Sequence, residues 1–246
     1  IYNKREKNFI MVNRNIKNIL LIFSLTFVLT GMAYAAKGSD REFDAKSNLG
    51  DFEDEMPSES DLEKEKSRLL ENIRQNKNSE DSWRRLAEIY FSEKIYGKSL
   101  NAVEELLKIV PKDMEANLLL GDIFLGRNEF NRALDQFKRV TEMAPQSARA
   151  HYKLGLAYKA AGDLKAAQAQ FRKALELEKD MPEARLATSD LKIRAGREKE
   201  ALQDLDSIIN KNPSFVPAYI NLGTFYLSKG EHKKGTEILE KITEVA

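Results

Sequence analysis

The chain has 246 residues, of which 42% are hydrophobic and 32% charged, a balance typical of a folded helical protein and unlike that of a disordered chain. The net charge is +1, and removing residues 1–35 leaves 35 basic and 38 acidic residues, which gives no electrostatic reason to expect nucleic-acid binding. The absence of cysteine excludes disulfides, thiolate nucleophiles and cysteine-ligated metal centres, and two histidines leave little material for other metal or acid–base chemistry.

Residues 1–36 have the layout of a secretory signal peptide. Five basic side chains lie among the first 18 residues, an almost wholly apolar run follows at 19–33, and Ala33-Tyr34-Ala35 supplies a small-x-small cleavage site. We expect cleavage after Ala35 or Ala36 and therefore an exported protein, periplasmic in the first instance. If the segment stays uncleaved, residues 19–36 are long enough to anchor the chain in the inner membrane.

Two short segments follow this leader. Residues 37–60 are rich in Asp, Glu, Ser and Gly and lack apolar periodicity, which predicts an acidic flexible linker. In residues 61–79, Leu62, Leu69, Leu70 and Ile73 recur at helical spacing. We interpret this segment as an N-terminal capping helix that precedes a repeat array.

The rest of the chain, 80–246, is self-similar at a spacing of 34 residues. Five copies align at 80–113, 114–147, 148–181, 182–215 and 216–246. Position seven holds Leu86, Leu120, Leu154, Thr188 and Leu222. Position eight holds Ala87, Gly121, Gly155, Ser189 and Gly223. Position eleven holds Tyr90, Phe124, Tyr158, Lys192 and Tyr226.

The second half of each copy has its own columns. Position twenty holds Ser99, Ala133, Ala167, Ala201 and Gly235. Position twenty-four holds Val103, Phe137, Phe171, Leu205 and Leu239. Position thirty-two holds Pro111, Pro145, Lys179 and Pro213. Positions seven and eleven share one helix face, and the small residues at eight and twenty let a second helix approach closely.

The turn between the two helices has a signature as well. Gly162, Gly196 and Gly230, with Asn128 in the second copy, fall where the first helix must stop, and these residue types tolerate the left-handed conformation of a helix cap. A proline at position thirty-two ends the second helix.

These columns resemble the tetratricopeptide repeat, with Trp83 in the first copy supplying the family's tryptophan. The resemblance implies an all-α fold, a right-handed superhelical solenoid of helix-turn-helix repeats. It also implies a non-enzymatic, cofactor-free scaffold whose concave face binds a protein or peptide.

The fourth copy departs from the pattern, since Thr188, Ser189 and Lys192 replace Leu, Gly and an aromatic residue. Either this copy is a looser joint, or its helix is shifted by one position, with Leu186 and Leu191 packing instead.

By resemblance, the groove is lined by positions two, five, nine, twelve and thirteen of the first helices. The predicted partner-binding residues are Arg84, Glu88, Phe91, Leu118, Asp122, Leu125, Tyr152, Leu156, Lys159, Leu186, Asp190, Ile193, Ile220 and Leu227. We expect an apolar stripe with an acidic flank, suited to an apolar segment with basic neighbours. At positions two and nine the flank consists, against Arg149, of Asp81, Glu88, Glu115, Asp122, Glu183 and Asp190. The alternative is that the apolar residues pack on adjacent helices and the acids are merely solvated.

Some members of the family bind a C-terminal carboxylate through a clamp of basic and asparagine side chains, and this sequence matches only part of that clamp. Arg84, Arg149 and Lys153 match its basic positions, but Glu88 and Leu119 occupy its two asparagine positions. Because Glu88 would repel a carboxylate, we do not expect a working clamp.

Three functions are compatible with the sequence. The first is a scaffold of the cell envelope that binds a protein or peptide. The second is an accessory subunit of an envelope assembly for secretion, polysaccharide export or cytochrome maturation. The third is the regulatory arm of an enzyme whose catalytic domain lies beyond residue 246, since we expect the chain to be a fragment. Membrane contact is expected only through an uncleaved leader, and neither the oligomeric state nor the partner follows from the sequence.

Overall fold

The computed structural model describes residues 59–245, and the predicted leader and nearly all of the linker lie outside this range. Twelve helices occupy the described residues: α1 (Glu59–Gln75), α2 (Glu80–Ser92), α3 (Tyr96–Ile109), α4 (Met114–Gly126), α5 (Phe130–Met143), α6 (Ala148–Ala160), α7 (Leu164–Leu177), α8 (Pro182–Arg194), α9 (Glu198–Lys211), α10 (Val216–Ser228), α11 (His232–Glu240) and α12 (Ile242–Val245). Over this part of the chain there is no strand. None of these helices combines the length and apolar character that a membrane span requires.

The repeat pattern is realised as consecutive helix pairs, so the predicted all-α helical solenoid is confirmed. Each first helix (α2, α4, α6, α8 and α10) begins at the first residue of a predicted 34-residue copy. Polar caps fix two of these starts: Asp113 accepts a hydrogen bond from the Ala116 backbone N–H, and Ser147 accepts one from that of Ala150.

The turn within every pair contains one residue in the left-handed region, at position fifteen. These residues are Lys94 (φ 62°), Asn128 (φ 61°), Gly162 (φ 87°), Gly196 (φ 74°) and Gly230 (φ 80°). The prediction for the three glycines and Asn128 is confirmed. Lys94 was missed, because its side chain gives no sign of this conformation.

The two helices of a pair meet where position eight is small. A Cβ atom added to Gly121 would lie 2.5 Å from the Phe137 ring, and one added to Gly155 would lie 2.5 Å from the Phe171 ring. The close neighbour of position eight is therefore the large residue at position twenty-four, which lies across the interface together with the small residue at position twenty. Both phenylalanines are fully buried.

In two repeats a serine hydroxyl makes a hydrogen bond between the two helices of the pair. The buried Ser99 hydroxyl donates to the Ala87 carbonyl at 2.8 Å, and the buried Ser189 hydroxyl donates to the Ala201 carbonyl at 2.9 Å. Both hydrogen bonds join positions eight and twenty. The donor is at position twenty in the first repeat and at position eight in the fourth.

The fourth repeat keeps the common register. Its first helix, α8, starts at Pro182, and Ser189 at position eight reaches Ala201 at position twenty as the pattern requires. The alternative of a helix shifted by one position is wrong, since the hydrogen bond between Ser189 and Ala201 stabilises the unshifted pairing.

The described residues fall into two compact units, 59–208 and 209–245. At the start of the first unit, Ile73 of α1 packs in a cluster with Leu86 and Tyr90 of α2. The second unit has a core of its own, formed by Tyr219, Ile220, Leu239 and Ile242.

Candidate functional site

The predicted binding residues of the unit 59–208 lie along α2, α4, α6 and α8. We call positions two, five, nine, twelve and thirteen of these four helices the first-helix face. Neighbouring first helices touch directly, α2 with α4 and α4 with α6. An ion pair between Lys159 and Asp190, at 2.5 Å, joins α6 to α8. The face is therefore continuous over four repeats.

Six apolar side chains on this face are half-buried, so each presents part of its surface to solvent. They are Phe91, Leu125, Tyr152, Leu156, Leu186 and Ile193. The buried parts of Tyr152 and Leu156 pack against a core cluster that contains Phe171 and Leu191. Phe91 lies 5.8 Å from the ring of Tyr96, which closes the first end of the row.

Other predicted groove residues occupy different surroundings. Leu118 is only 1% exposed and belongs to the core between repeats two and three, so it has no surface to offer a partner. Ile220 is buried, and Leu227 half-buried, in the second unit. The position rule identified these residues correctly as first-helix residues, but it does not distinguish core from surface, because that depends on the size of the neighbouring side chains.

Several charged residues of the face are paired with a residue at the start of the next repeat or on its first helix. Arg84 makes two hydrogen bonds to Asp113, of 3.0 and 2.6 Å. This bidentate contact lowers the pKa of the Asp113 carboxyl, which also caps α4. Asp113 is held from two sides, so Arg84 is not free to bind a ligand.

Two further pairs join repeats two and three. Glu115 meets Arg149 at 2.6 Å, and Asp122 meets Lys153 at 2.7 Å. On α8, Asp190 meets Arg194 at 3.4 Å in addition to its bond with Lys159. The expected acidic flank is thus largely neutralised, because the sequence pattern shows the acids but not the bases that face them from the next helix.

Burial shapes the protonation of the centre of the face. It raises the pKa of the Asp122 carboxyl, against the opposing charge of Lys153. Burial also raises the pKa of the Tyr152 hydroxyl to about 12, with further contributions from the negative charges of Glu183 and Asp122. Tyr152 therefore lies between two acids, as a neutral phenol over the physiological range.

Glu183 differs from the other acids at the centre of the face. It is exposed at the start of α8, and among the described residues no base lies within ion-pair distance of it. The centre of the face therefore combines one uncompensated carboxylate with the apolar surface of Tyr152 and Leu186.

The bases that resemble the carboxylate clamp do not form one. Arg84, Arg149 and Lys153 each bind an acid of a neighbouring helix start or repeat. Glu88, in the place of the first clamp asparagine, is half-exposed and 3.8 Å from Arg85.

Position four carries a structural role that the sequence analysis missed. Its side chain reaches the carbonyl six residues earlier in each of four repeats: Trp83 to Lys77 (2.9 Å), Asn117 to Pro111 (3.1 Å), His151 to Pro145 (3.1 Å) and Arg185 to Lys179 (3.0 Å). The four residues at position four differ in type, but each has a side-chain N–H group, and this shared donor was the signal in the sequence. His151 thus contacts the turn between α5 and α6, and within the described residues no group of acids and histidines could hold a metal ion.

Stacked helix pairs that share a continuous face define a helical-repeat protein. Sequence models described as tetratricopeptide repeat match residues 86–148, 118–175, 158–214 and 216–246. The chain therefore belongs to the tetratricopeptide repeat family. No curated protein matches it over its sequence.

Solved structures show the same fold. A thermophilic tetratricopeptide repeat protein of Thermus thermophilus is 21% identical, with a TM-score of 0.59 over 66% of this chain and 89% of that one. A tetratricopeptide repeat protein from Parabacteroides merdae is 19% identical, with a TM-score of 0.61 over 76% and 74% of the two chains. MamA from Desulfovibrio magneticus is 22% identical, with a TM-score of 0.54 over 63% and 88%.

Proposed function

We propose that this protein is an interaction scaffold whose first-helix face binds an extended or helical segment of a partner protein. The observation that carries the proposal is the row of six half-buried apolar side chains along α2, α4, α6 and α8. A row of this kind offers a partner apolar surface at intervals of one helix, while the core beneath keeps the helices rigid.

The charges of the face define the chemistry of the segment. Ion pairs within the protein already satisfy Arg84, Arg149, Lys153 and Lys159, so a ligand gains little from placing acids beside them. Glu183 has no such partner among the described residues. We therefore assign to the segment apolar side chains for the row and one basic side chain for Glu183.

The proposal can be tested by introducing a charge into the apolar row at a position where other repeats already carry a charged residue. Leu156 is at position nine, where repeats two and four carry Asp122 and Asp190, so Leu156→Asp should fold. We expect this variant to lose capture of the native partner in crosslinking mass spectrometry, because a carboxylate in the row costs desolvation on binding.

The control places the same change outside the face. Leu164, at the first position of α7, is 41% exposed, and Leu164→Asp should leave capture unchanged. Equal capture by both variants would overturn the assignment of the face. Glu183→Gln should weaken capture and reduce its dependence on salt, whereas Glu115→Gln, which removes an acid already paired with Arg149, should not reduce that dependence.

We further propose that the scaffold works in the cell envelope. The support is the leader pattern of residues 1–36, which lies outside the described residues. Cell fractionation followed by N-terminal sequencing of the purified protein tests it. A mature chain beginning at Ala36 or Lys37 in the periplasmic fraction is expected, and a cytoplasmic chain that keeps residues 19–36 would contradict the proposal.

A further inference from the structure

The junction between repeats three and four differs from the two before it on the side of the second helices. Position twenty-one of one repeat and position seven of the next are both leucine at the first two junctions, Leu100 with Leu120 and Leu134 with Leu154. Each pair belongs to one apolar cluster. At the third junction the same two positions are Gln168 and Thr188.

This double change opens a hollow of about 380 Å³ on the surface. Its lining comes from one side of α7 and one residue of α8, namely Lys165, Gln168, Ala169, Arg172, Leu175 and Thr188. We call it the α7 hollow. The Thr188 hydroxyl donates to the Ala184 carbonyl at 2.8 Å, so the threonine is satisfied within its own helix and does not fill the space.

The charged groups of the α7 hollow lack strong partners. Lys165 is exposed, and no acid of the described residues lies within ion-pair distance of it. Arg172 is 78% exposed in its side chain and approaches only Glu176, at the long distance of 3.9 Å. Gln168 lies between the two bases along the helix and adds an amide donor.

The spacing of the two bases fits an extended acidic chain. Lys165 and Arg172 are seven residues apart on one helix, which separates their Cα atoms by roughly 10 Å. In an extended segment, side chains two residues apart lie on the same face, about 7 Å from each other. The long, exposed side chains of Lys165 and Arg172 can therefore converge on two carboxylates at that interval.

We propose that the α7 hollow binds an acidic polypeptide segment in extended conformation. The chain itself carries a segment of this chemistry, Asp51-Phe52-Glu53-Asp54-Glu55, in which Asp51 and Glu53 are two residues apart. Five of the six lining residues of the α7 hollow belong to α7, and the sixth, Thr188 at position seven of α8, is not part of the first-helix face. The proposal therefore does not depend on the function assigned to that face.

A labelled peptide of residues 49–56 is the probe. The receptor is the full chain with Asp51→Asn, Glu53→Gln, Asp54→Asn and Glu55→Gln, so that its own acidic stretch does not compete. Fluorescence anisotropy should show saturable binding. Adding Lys165→Gln and Arg172→Gln to the receptor should weaken binding at least about tenfold, and the matched control Lys199→Gln, at the same position of repeat four as Lys165, should leave it unchanged.

Thr188→Leu supplies the second variant, because it restores the leucine of the other junctions and fills the space. It should abolish peptide binding while leaving the melting temperature equal or higher, which separates loss of the site from loss of the fold. Absence of saturable binding, or equal affinity of the unsubstituted and doubly substituted receptors, would overturn the proposal. Displacement of the peptide by inorganic phosphate at the peptide's own dissociation constant would also overturn it, since the site would then be one for any anion.

Discussion

Repeats two and four use one backbone geometry with two kinds of interior contact. In repeat two, Gly121 lies against the Phe137 ring, and Phe124 lies under the guanidinium of Arg132 at 4.0 Å. In repeat four, Ser189 donates to a backbone carbonyl, and Lys192 takes the place of the aromatic ring. The helices nevertheless begin at equivalent residues in both repeats.

The exchange at position eleven shows how this is possible. Lys192 meets Asp204 at 2.6 Å and Glu200 at 3.6 Å, and Glu200 occupies the position from which Arg132 covers Phe124 in repeat two. The cation–π contact of Arg132 with Phe124 in repeat two thus corresponds to the ion pairs of Lys192 with two acids in repeat four. The repeat tolerates polar residues at otherwise apolar positions when each polar group finds a partner.

The largest expected effect concerns the apolar contact of repeat two. Phe137→Ala should lower the free energy of unfolding by about 4 kcal/mol and Leu205→Ala by about 3 kcal/mol, because both side chains are fully buried and leave cavities of different size. Denaturant unfolding of the two variants gives the comparison. Equal values would show that ring packing does not distinguish the repeats.

Adding a single methyl group should separate the repeats further. Gly121→Ala should cost about 2 kcal/mol, because its Cβ would overlap the Phe137 ring. Ser189→Ala should cost only about 1 kcal/mol, the loss of one hydrogen bond. In a double-mutant cycle, Phe137→Leu should reduce the cost of Gly121→Ala, and strict additivity would contradict the overlap.

The start of repeat two should respond to pH. Asp113→Asn keeps a capping side chain but removes the charge that Arg84 binds, so it should cost about 1.5 kcal/mol at neutral pH. The folded-state pKa of Asp113 is lowered, so the stability it contributes is present above its unfolded pKa and is lost as pH falls through the folded value. The difference between wild type and Asp113→Asn should therefore shrink in acid, and a constant difference between neutral and strongly acidic pH would contradict the ion pair.

The smallest effect is expected at the turns. Gly196 of repeat four has φ 74° and Asn128 of repeat two has φ 61°. Gly196→Ala should cost about 1 kcal/mol, whereas Asn128→Gly should change stability by only a few tenths, because asparagine already tolerates the left-handed region. Thermal unfolding of both variants measures this, and equal destabilisation would show that the turn does not require that conformation.

Most of the fold could be predicted from the local residue pattern of the sequence. The 34-residue columns predicted the first residue of every first helix and four of the five left-handed turn residues, because side-chain size and helical period act over short distances. They did not predict Lys94, whose conformation is imposed by the helices on either side.

The candidate site was less accessible from sequence. Leu118 and Leu156 both occupy predicted groove positions, yet one is buried and the other half-exposed, since their exposure depends on neighbours one repeat away. The ion pairs were missed for the same reason. Glu115 and Arg149 are 34 residues apart, which equals the repeat length, whereas Asp122 and Lys153 are 31 residues apart. Only the first of these two pairs therefore had a signal in the repeat spacing.

These ion pairs make the order of the repeats specific. Repeat two presents an acid at position nine to a lysine at position six of its successor, whereas repeat three presents a lysine at position twelve to an acid at position nine of repeat four. If repeats two and three were exchanged, Lys159 would still face an acid, Asp122, where repeat three precedes repeat two. Where repeat two precedes repeat four, however, Asp122 would face Ala187 at position six and would lose its base. The repeats are therefore only partly interchangeable, and an engineered permutation that places repeat two before repeat four would have to supply a base opposite Asp122.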